Sequence, residues 1–345
     1  MTLAGSSLAE HAPKLLEMLA DVARNATFPE EEVQLHKKNR KQSLLAQRAE
    51  PDFLADEKLN EVIYGPHPYS RIAPTMEALD RLDVKALATF RDTYLAPNNA
   101  FLILLGRIPP RAEALKLATE RFGSWQKKDV PASPLPQPPE SARQMHVIDR
   151  PGSVQADIQI GRLAVTRAHQ DYFPLVVGAM ILGQGPASRM FNNIREKHGF
   201  AYDAHSELDA KKELGTFTAV TQVRNEVIEP AMKALLEELE GMAKQPASAE
   251  ELSNAQNFAS GLYVLSLETQ EGLAGQLSML KILGLPYEYL ENYTKRIRAV
   301  EPAQITAVAK KYILPDKAAM VVVGDAAKIG KALEKLGKVT ITKAE

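Results

Sequence analysis

Residues 94–106 read YLAPNNAFLILLG and residues 312–324 read YILPDKAAMVVVG. Tyr94, Pro97, Ala100 and Gly106 pair with Tyr312, Pro315, Ala318 and Gly324 at one offset of 218. Each stretch has the pattern of a helix end, a Pro turn, an apolar run short enough for a buried strand, and a closing Gly. The match continues outward. Leu15, Leu16, Leu19, Ala23, Glu30 and Glu31 meet Leu235, Leu236, Leu239, Ala243, Glu250 and Glu251 at an offset of 220, and Gly65 meets Gly284 at 219. One nearly constant offset across three separated blocks marks an internal duplication. The second copy starts near His146, so the same offset leaves the first copy without roughly its first 74 residues, the counterparts of 146–220.

Between the copies, residues 131–139 (PASPLPQPP) hold five prolines in nine positions. Proline fixes φ and removes an amide donor, so this is a stiff, extended connector. The expected organisation is a first domain over 1–127, a linker over 128–145 and a second domain over 146–345. Helical patterns cover 31–47, 51–64, 76–94, 169–182, 189–198, 226–244 and 249–269. Strand patterns cover 100–105, 155–160, 214–223 and 319–323.

Composition narrows the function. The 345 residues are 45% hydrophobic and 25% charged, with a net charge of −1. No strongly basic face follows, which argues against nucleic acid as a ligand. The absence of Cys excludes disulfides, thiolate metal sites and Cys nucleophiles. No apolar run is long enough to span a membrane. The start, MTLAGSSLAEHAPKLL, lacks the basic and apolar regions of a signal peptide. Among simpler features, Glu30, Glu31 and Glu32 read as first-turn carboxylates of a helix. The basic run 36–41 (HKKNRK) reads as a solvated helix surface, and His67, between two prolines, as a loop residue.

The blocks FPEEEVQLHKKNRKQSLL (28–45), YGPHPYSR (64–71), YLAPNNAFLILLGRI (94–108), LGQGPASRMFNNIREKHGFAY (182–202) and YILPDKAAMVVVGD (312–325) resemble the pitrilysin/insulinase peptidases, family M16, especially the mitochondrial processing peptidase-like branch. The resemblance covers essentially the whole chain. It implies a duplicated α+β domain, each copy a mainly antiparallel sheet packed with helices, here with the first copy incomplete at its N-terminus. It also implies a zinc site built on H-x-x-E-H, two His one helical turn apart with a Glu general base, completed by a distal Glu. The seven His of this chain lie at 11, 36, 67, 146, 169, 198 and 205, and no two are four apart. By alignment the motif falls before Met1, and the distal ligand position falls at about Ser43, a poor zinc ligand where a carboxylate is required. His36 and Glu50 lie nearby without landing on it.

The family's other functional pair, an Arg and a Tyr seven residues apart, is matched by Arg195 and Tyr202 in REKHGFAY. The resemblance gives them the role of binding the substrate carbonyl and its developing oxyanion in the partner's active site. Gly199 between them suits a turn out of the helix. The chain is therefore expected to be a non-catalytic, peptide-clamping subunit that binds no cofactor itself. Its partners would be an M16 subunit bearing H-x-x-E-H and the zinc, and an unfolded peptide substrate. Two alternatives stay open: a structural assembly subunit like the core proteins of respiratory complexes, and a truncated product of an active peptidase gene. The resemblance points to the periplasm, but the compartment is not fixed by the sequence.

Overall fold

The computed structural model describes residues 1–344. The chain forms two compact units that interleave along the sequence. Unit one holds residues 1–44, 74–134 and 268–281; unit two holds 45–73, 135–267 and 282–345. One changeover, between Pro134 and Leu135, falls inside the proline-rich stretch.

Every strand among the described residues lies in unit two. They are β1 (Gln144–Asp149), β2 (Gln155–Ala164), β3 (Ala201–Ala210), β4 (Gly215–Arg224), β5 (Ala319–Gly324) and β6 (Val339–Lys343). They make one mixed sheet in the order β3-β4-β2-β5-β1-β6. The β2–β4, β3–β4 and β2–β5 pairings are antiparallel, and β1 pairs in parallel with both β5 and β6. β5 is central and buried along its whole length, as a continuous apolar run requires when both faces of a sheet are covered.

One cover is α3 (Pro51–Tyr64), which carries Leu54, Leu59 and Ile63 onto Ala319, Val321 and Val323. Burying each such aliphatic side chain stabilises the fold by about 1.5–3 kcal/mol. On the opposite face lie the apolar helix α7 (Tyr172–Gly183) and the amphipathic helices α8 (Ile228–Lys244) and α12 (Pro302–Tyr312). α9 (Ala249–Leu265) packs on α7 and starts with a capping box in which Ser248 and Glu251 satisfy each other's backbone amides. α11 (Glu288–Arg298) packs on α9, and α13 (Ala326–Glu334) packs on α8.

Unit one is helical among its described residues: α1 (Ala12–Asn25), α2 (Glu30–Arg48, whose last turn passes into unit two), α4 (Met76–Arg81), α5 (Val84–Tyr94), α6 (Arg111–Phe122) and most of α10 (Gln270–Leu283). The 76–94 helical pattern is two helices, because Asp83 leaves the helix and caps α5 by accepting the Ala86 N–H. The larger difference from expectation is at 100–105. That segment belongs to no sheet, and Phe101 and Leu102 are exposed. A strand is defined by its neighbours, and unit one has no strand among its described residues for 100–105 to pair with.

The duplication shows in the element bounds. α3 and α10 both span 14 residues and lie 219 apart at each end; α5 and α12 lie 218 apart at each end. Gly65 and Gly284, just past α3 and α10, both take positive φ, +53° and +68°, which glycine adopts without a Cβ penalty. These two equivalent helices have exchanged places. The first-half helix α3 belongs to unit two, and all but the end of the second-half helix α10 belongs to unit one.

Candidate functional site

Arg195 lies on a π-helix, Phe191–Lys197, in which the His198 N–H reaches back five residues to the Asn193 carbonyl at 3.2 Å. Such one-turn widenings of a helix often mark functional positions. Several contacts fix the segment. Met190 and Ile194 are fully buried, Asn193 donates to Glu238 at 2.6 Å, and Arg189 makes two bonds to Glu251 at 2.6 and 3.0 Å. Gly199, at φ +60°, then turns the chain into β3, with its N–H on the Arg195 carbonyl at 2.9 Å.

β3 is an edge strand, and its register with β4 slips between Ala201 and Ala204. Tyr202 and Asp203 thus face one β4 position, Gln222, which is a β-bulge that re-aims a side chain. Tyr202 is 83% exposed. The Arg195 guanidinium lies 4.8 Å from the Tyr202 ring centre and 4.6 Å from that of Phe191. Stacking uses the face of the guanidinium and leaves its in-plane N–H donors for other partners; Nε lies 3.4 Å from Glu196 Oε1. The fold therefore brings the half-buried Arg195 guanidinium and the exposed Tyr202 phenol together at a sheet edge. Such a pair of donors can hold a carbonyl or an oxyanion.

A second polar cluster was not legible in sequence. Asp157 of β2 is 4% exposed, yet its Oδ1 has no hydrogen-bond partner among the described residues. Burial, then the charges of Asp52 and Asp56 on α3, push its carboxyl up to about 6. Burial likewise raises Asp56, against a hydrogen bond from Gln159. On β3, His205 is bonded by Asp203 at 2.6 Å and faced by Glu207 at 3.7 Å. Glu207 and then Asp203 outweigh burial and push it up to about 8. Asp157 and Gln159 alternate with Ala156, Ile158 and Ile160, which reads as a solvent face. α3, supplied from the other repeat, covers that face. His67 is also buried, packed edge-on against Tyr69 at 4.6 Å, although its loop position was legible.

The donors present do not fit a zinc site. Ser43 is an exposed residue of α2. Among the described residues no group of three or more His, Asp or Glu has metal-holding geometry. His205 with Asp203 and Glu207 is not such a group either. No described helix is long and apolar enough to cross a membrane.

The fold is that of the M16-like peptidases. Across 92% of this chain and 76% of the other, it superposes on the peptidase M16 inactive domain of Pseudomonas fluorescens with a TM-score of 0.85 and 25% identity. A protease from Helicobacter pylori matches with a TM-score of 0.83 at 19% identity, over 91% of this chain and 77% of that one. The family profile described as Peptidase M16 inactive domain matches residues 81–258, just over half of the chain, and the chain belongs to that family. In sequence it is 23% identical, over 90% of its length and 75% of the relative's, to the uncharacterized zinc protease YmxG of Bacillus subtilis. It spans about two thirds to three quarters of the first curated relatives it matches.

Proposed function

We propose that this chain is a non-catalytic, peptide-clamping subunit of an M16-type zinc metalloendopeptidase. Its partner carries H-x-x-E-H and the zinc, and this chain supplies Arg195 and Tyr202 to the partner's active site. In this reading residues 1–127 and 146–345 are the family's N- and C-terminal-type domains, joined by 128–145. The observation that carries the reading is the asymmetry of the chain. The Arg195 guanidinium and the Tyr202 ring are 4.8 Å apart on a braced π-helix and an exposed bulge, while by the family resemblance the distal ligand position falls at about Ser43. An extended peptide binds by adding to a sheet edge through its backbone, which tolerates varied sequence.

The test is peptide hydrolysis and zinc content of the purified chain, alone and with an H-x-x-E-H partner. The expected result is neither zinc nor turnover alone, and turnover with the partner. In the reconstituted pair, Arg195→Ala with Tyr202→Phe lowers kcat by about 10²–10³-fold, the scale of losing an oxyanion donor. Stoichiometric zinc and turnover by the chain alone would overturn the reading. An unchanged rate in the double variant would make the chain a scaffold.

A further inference from the structure

A cleft of about 600 Å³ opens in unit two beside the N-terminal end of α7 and the start of α11. It shares no residue with the Arg195 and Tyr202 site. Its floor is aromatic and rigid: Phe173 and Tyr289 are nearly fully buried, with ring centres 5.8 Å apart, and Tyr293 packs edge-on against Phe173 at 5.3 Å. Two arginines line it. The Arg167 guanidinium lies 5.4 Å from the Tyr172 ring and 5.6 Å from the Tyr289 ring; that of Arg296 lies 5.5 Å from Phe173 and 6.0 Å from the same Tyr289 ring. Sharing one ring puts the two cations at most about 12 Å apart, near enough to repel in a partly desolvated cleft.

Among the described residues, nothing anionic offsets them. No Asp or Glu lines the cleft. Neither arginine forms an ion pair with a carboxylate, and the one hydrogen bond that Arg167 makes runs from Nε to the Tyr289 hydroxyl at 3.0 Å. Asp171, the acid next along the chain, is taken up by Lys311 at 2.9 Å and by the Tyr312 hydroxyl at 3.1 Å. His169, also at the cleft, accepts the Asp171 N–H at Nδ1, which puts its ring proton on Nε2 as a further donor. Burial works against the Arg167 charge, but a guanidinium does not lose its proton at working pH, so Arg167 stays a cation.

We infer that this cleft binds a small organic oxyanion, a carboxylate or a phosphate, carried on an apolar or aromatic body. The oxyanion bridges Arg167 and Arg296, and the body lies against Leu285 and Pro286 of the lining, which keep accessible surface. The size suits a small-molecule site, and the pre-set aromatic floor keeps the ordering cost of binding low. A free peptide C-terminus and a phosphoester are the two natural sources of this chemistry.

Calorimetric titration of the full chain with N-acetylphenylalanine, N-acetylphenylalaninamide and phenyl phosphate tests it. Saturable binding of the acid, of phenyl phosphate or of both is expected, with the neutral amide at least about tenfold weaker. Binding of the acid alone assigns the carboxylate source, and of phenyl phosphate alone the phosphate source. Arg296→Gln, on an exposed residue, should weaken the bound anion about tenfold and leave the melting temperature unchanged. Arg167→Gln should do the same; should it unfold the chain, the Arg296 variant decides. The inference is overturned if neither anion binds up to about 10 mM, if the amide binds as well as the acid, or if Arg296→Gln folds normally and binds unchanged.

Discussion

Residues 94–106 and 312–324 share a pattern and part company at one point. Both leave an 11-residue helix, α5 or α12, pass through a Pro-initiated 3₁₀ turn and become extended. The second copy then enters the centre of a sheet between β1 and β2 and is wholly buried, while the first has no ladder and exposes Phe101 and Leu102. The lesson is that helix, turn and apolar run are local properties, whereas a strand belongs to the set of strands around it. The partners of β5 are β1 and β2, both from residues far from it in the chain.

The sharpest way to break this comparison is a matched truncation. Met320 is 0% exposed and Leu102, its repeat equivalent, 43%. Met320→Ala should cost about 2–5 kcal/mol in denaturant unfolding, and Leu102→Ala less than about 0.5 kcal/mol. Equal costs would mean that 100–105 is packed like β5. A smaller effect concerns Asp157, on the strand beside β5. Its carboxyl titrates near 6 in the fold and near 3.8 as a free group. Its contribution is therefore fully present below about pH 4 and lost as pH rises through about 6, on the order of 2–3 kcal/mol. Asp157→Asn should flatten that part of the stability–pH curve and raise stability at neutral pH, as melting across pH 4–8 would reveal.

Glu251 and its repeat equivalent Glu31 give the next contrast. Both stand in the first turn of a helix, but Glu251 also holds Arg189 in two bonds, and this holds its carboxyl below the usual range. Glu251→Gln should cost about 1–2 kcal/mol, and Glu31→Gln about 0.3 kcal/mol or less, by the same unfolding assay. The smallest effect belongs to His205. A ring raised to about 8 by Glu207 and Asp203 contributes stability that is complete below about 6.5 and lost as pH rises through 8. Its NMR titration midpoint should fall near 8 and drop toward the ordinary value in Glu207→Gln.

Much of the candidate site was legible. The seven-residue spacing of Arg195 and Tyr202, with Gly199 between them, placed one at a helix end and the other beyond a turn, and the structure stacks the two together. The π-helix and the bulge that aim them were not legible. The first is held by Glu238 and Glu251 from distant helices, the second by a register set in β4. Asp157 was missed for a related reason: alternation reveals that a strand has two faces but not what covers the polar one.

The order of helices, the turns at Gly65 and Gly284, the repeat offset and the lack of a zinc-binding His pair are properties of the amino-acid sequence alone, because they depend on neighbours a few residues away or on residue identity. Tertiary structure decided that 319–324 is a strand and 100–105 is not, that α3 and most of α10 exchange units, and that Arg167 and Arg296, far apart in the chain, share one aromatic floor. Each of these rests on contacts between segments distant in sequence, and no local periodicity carries that information.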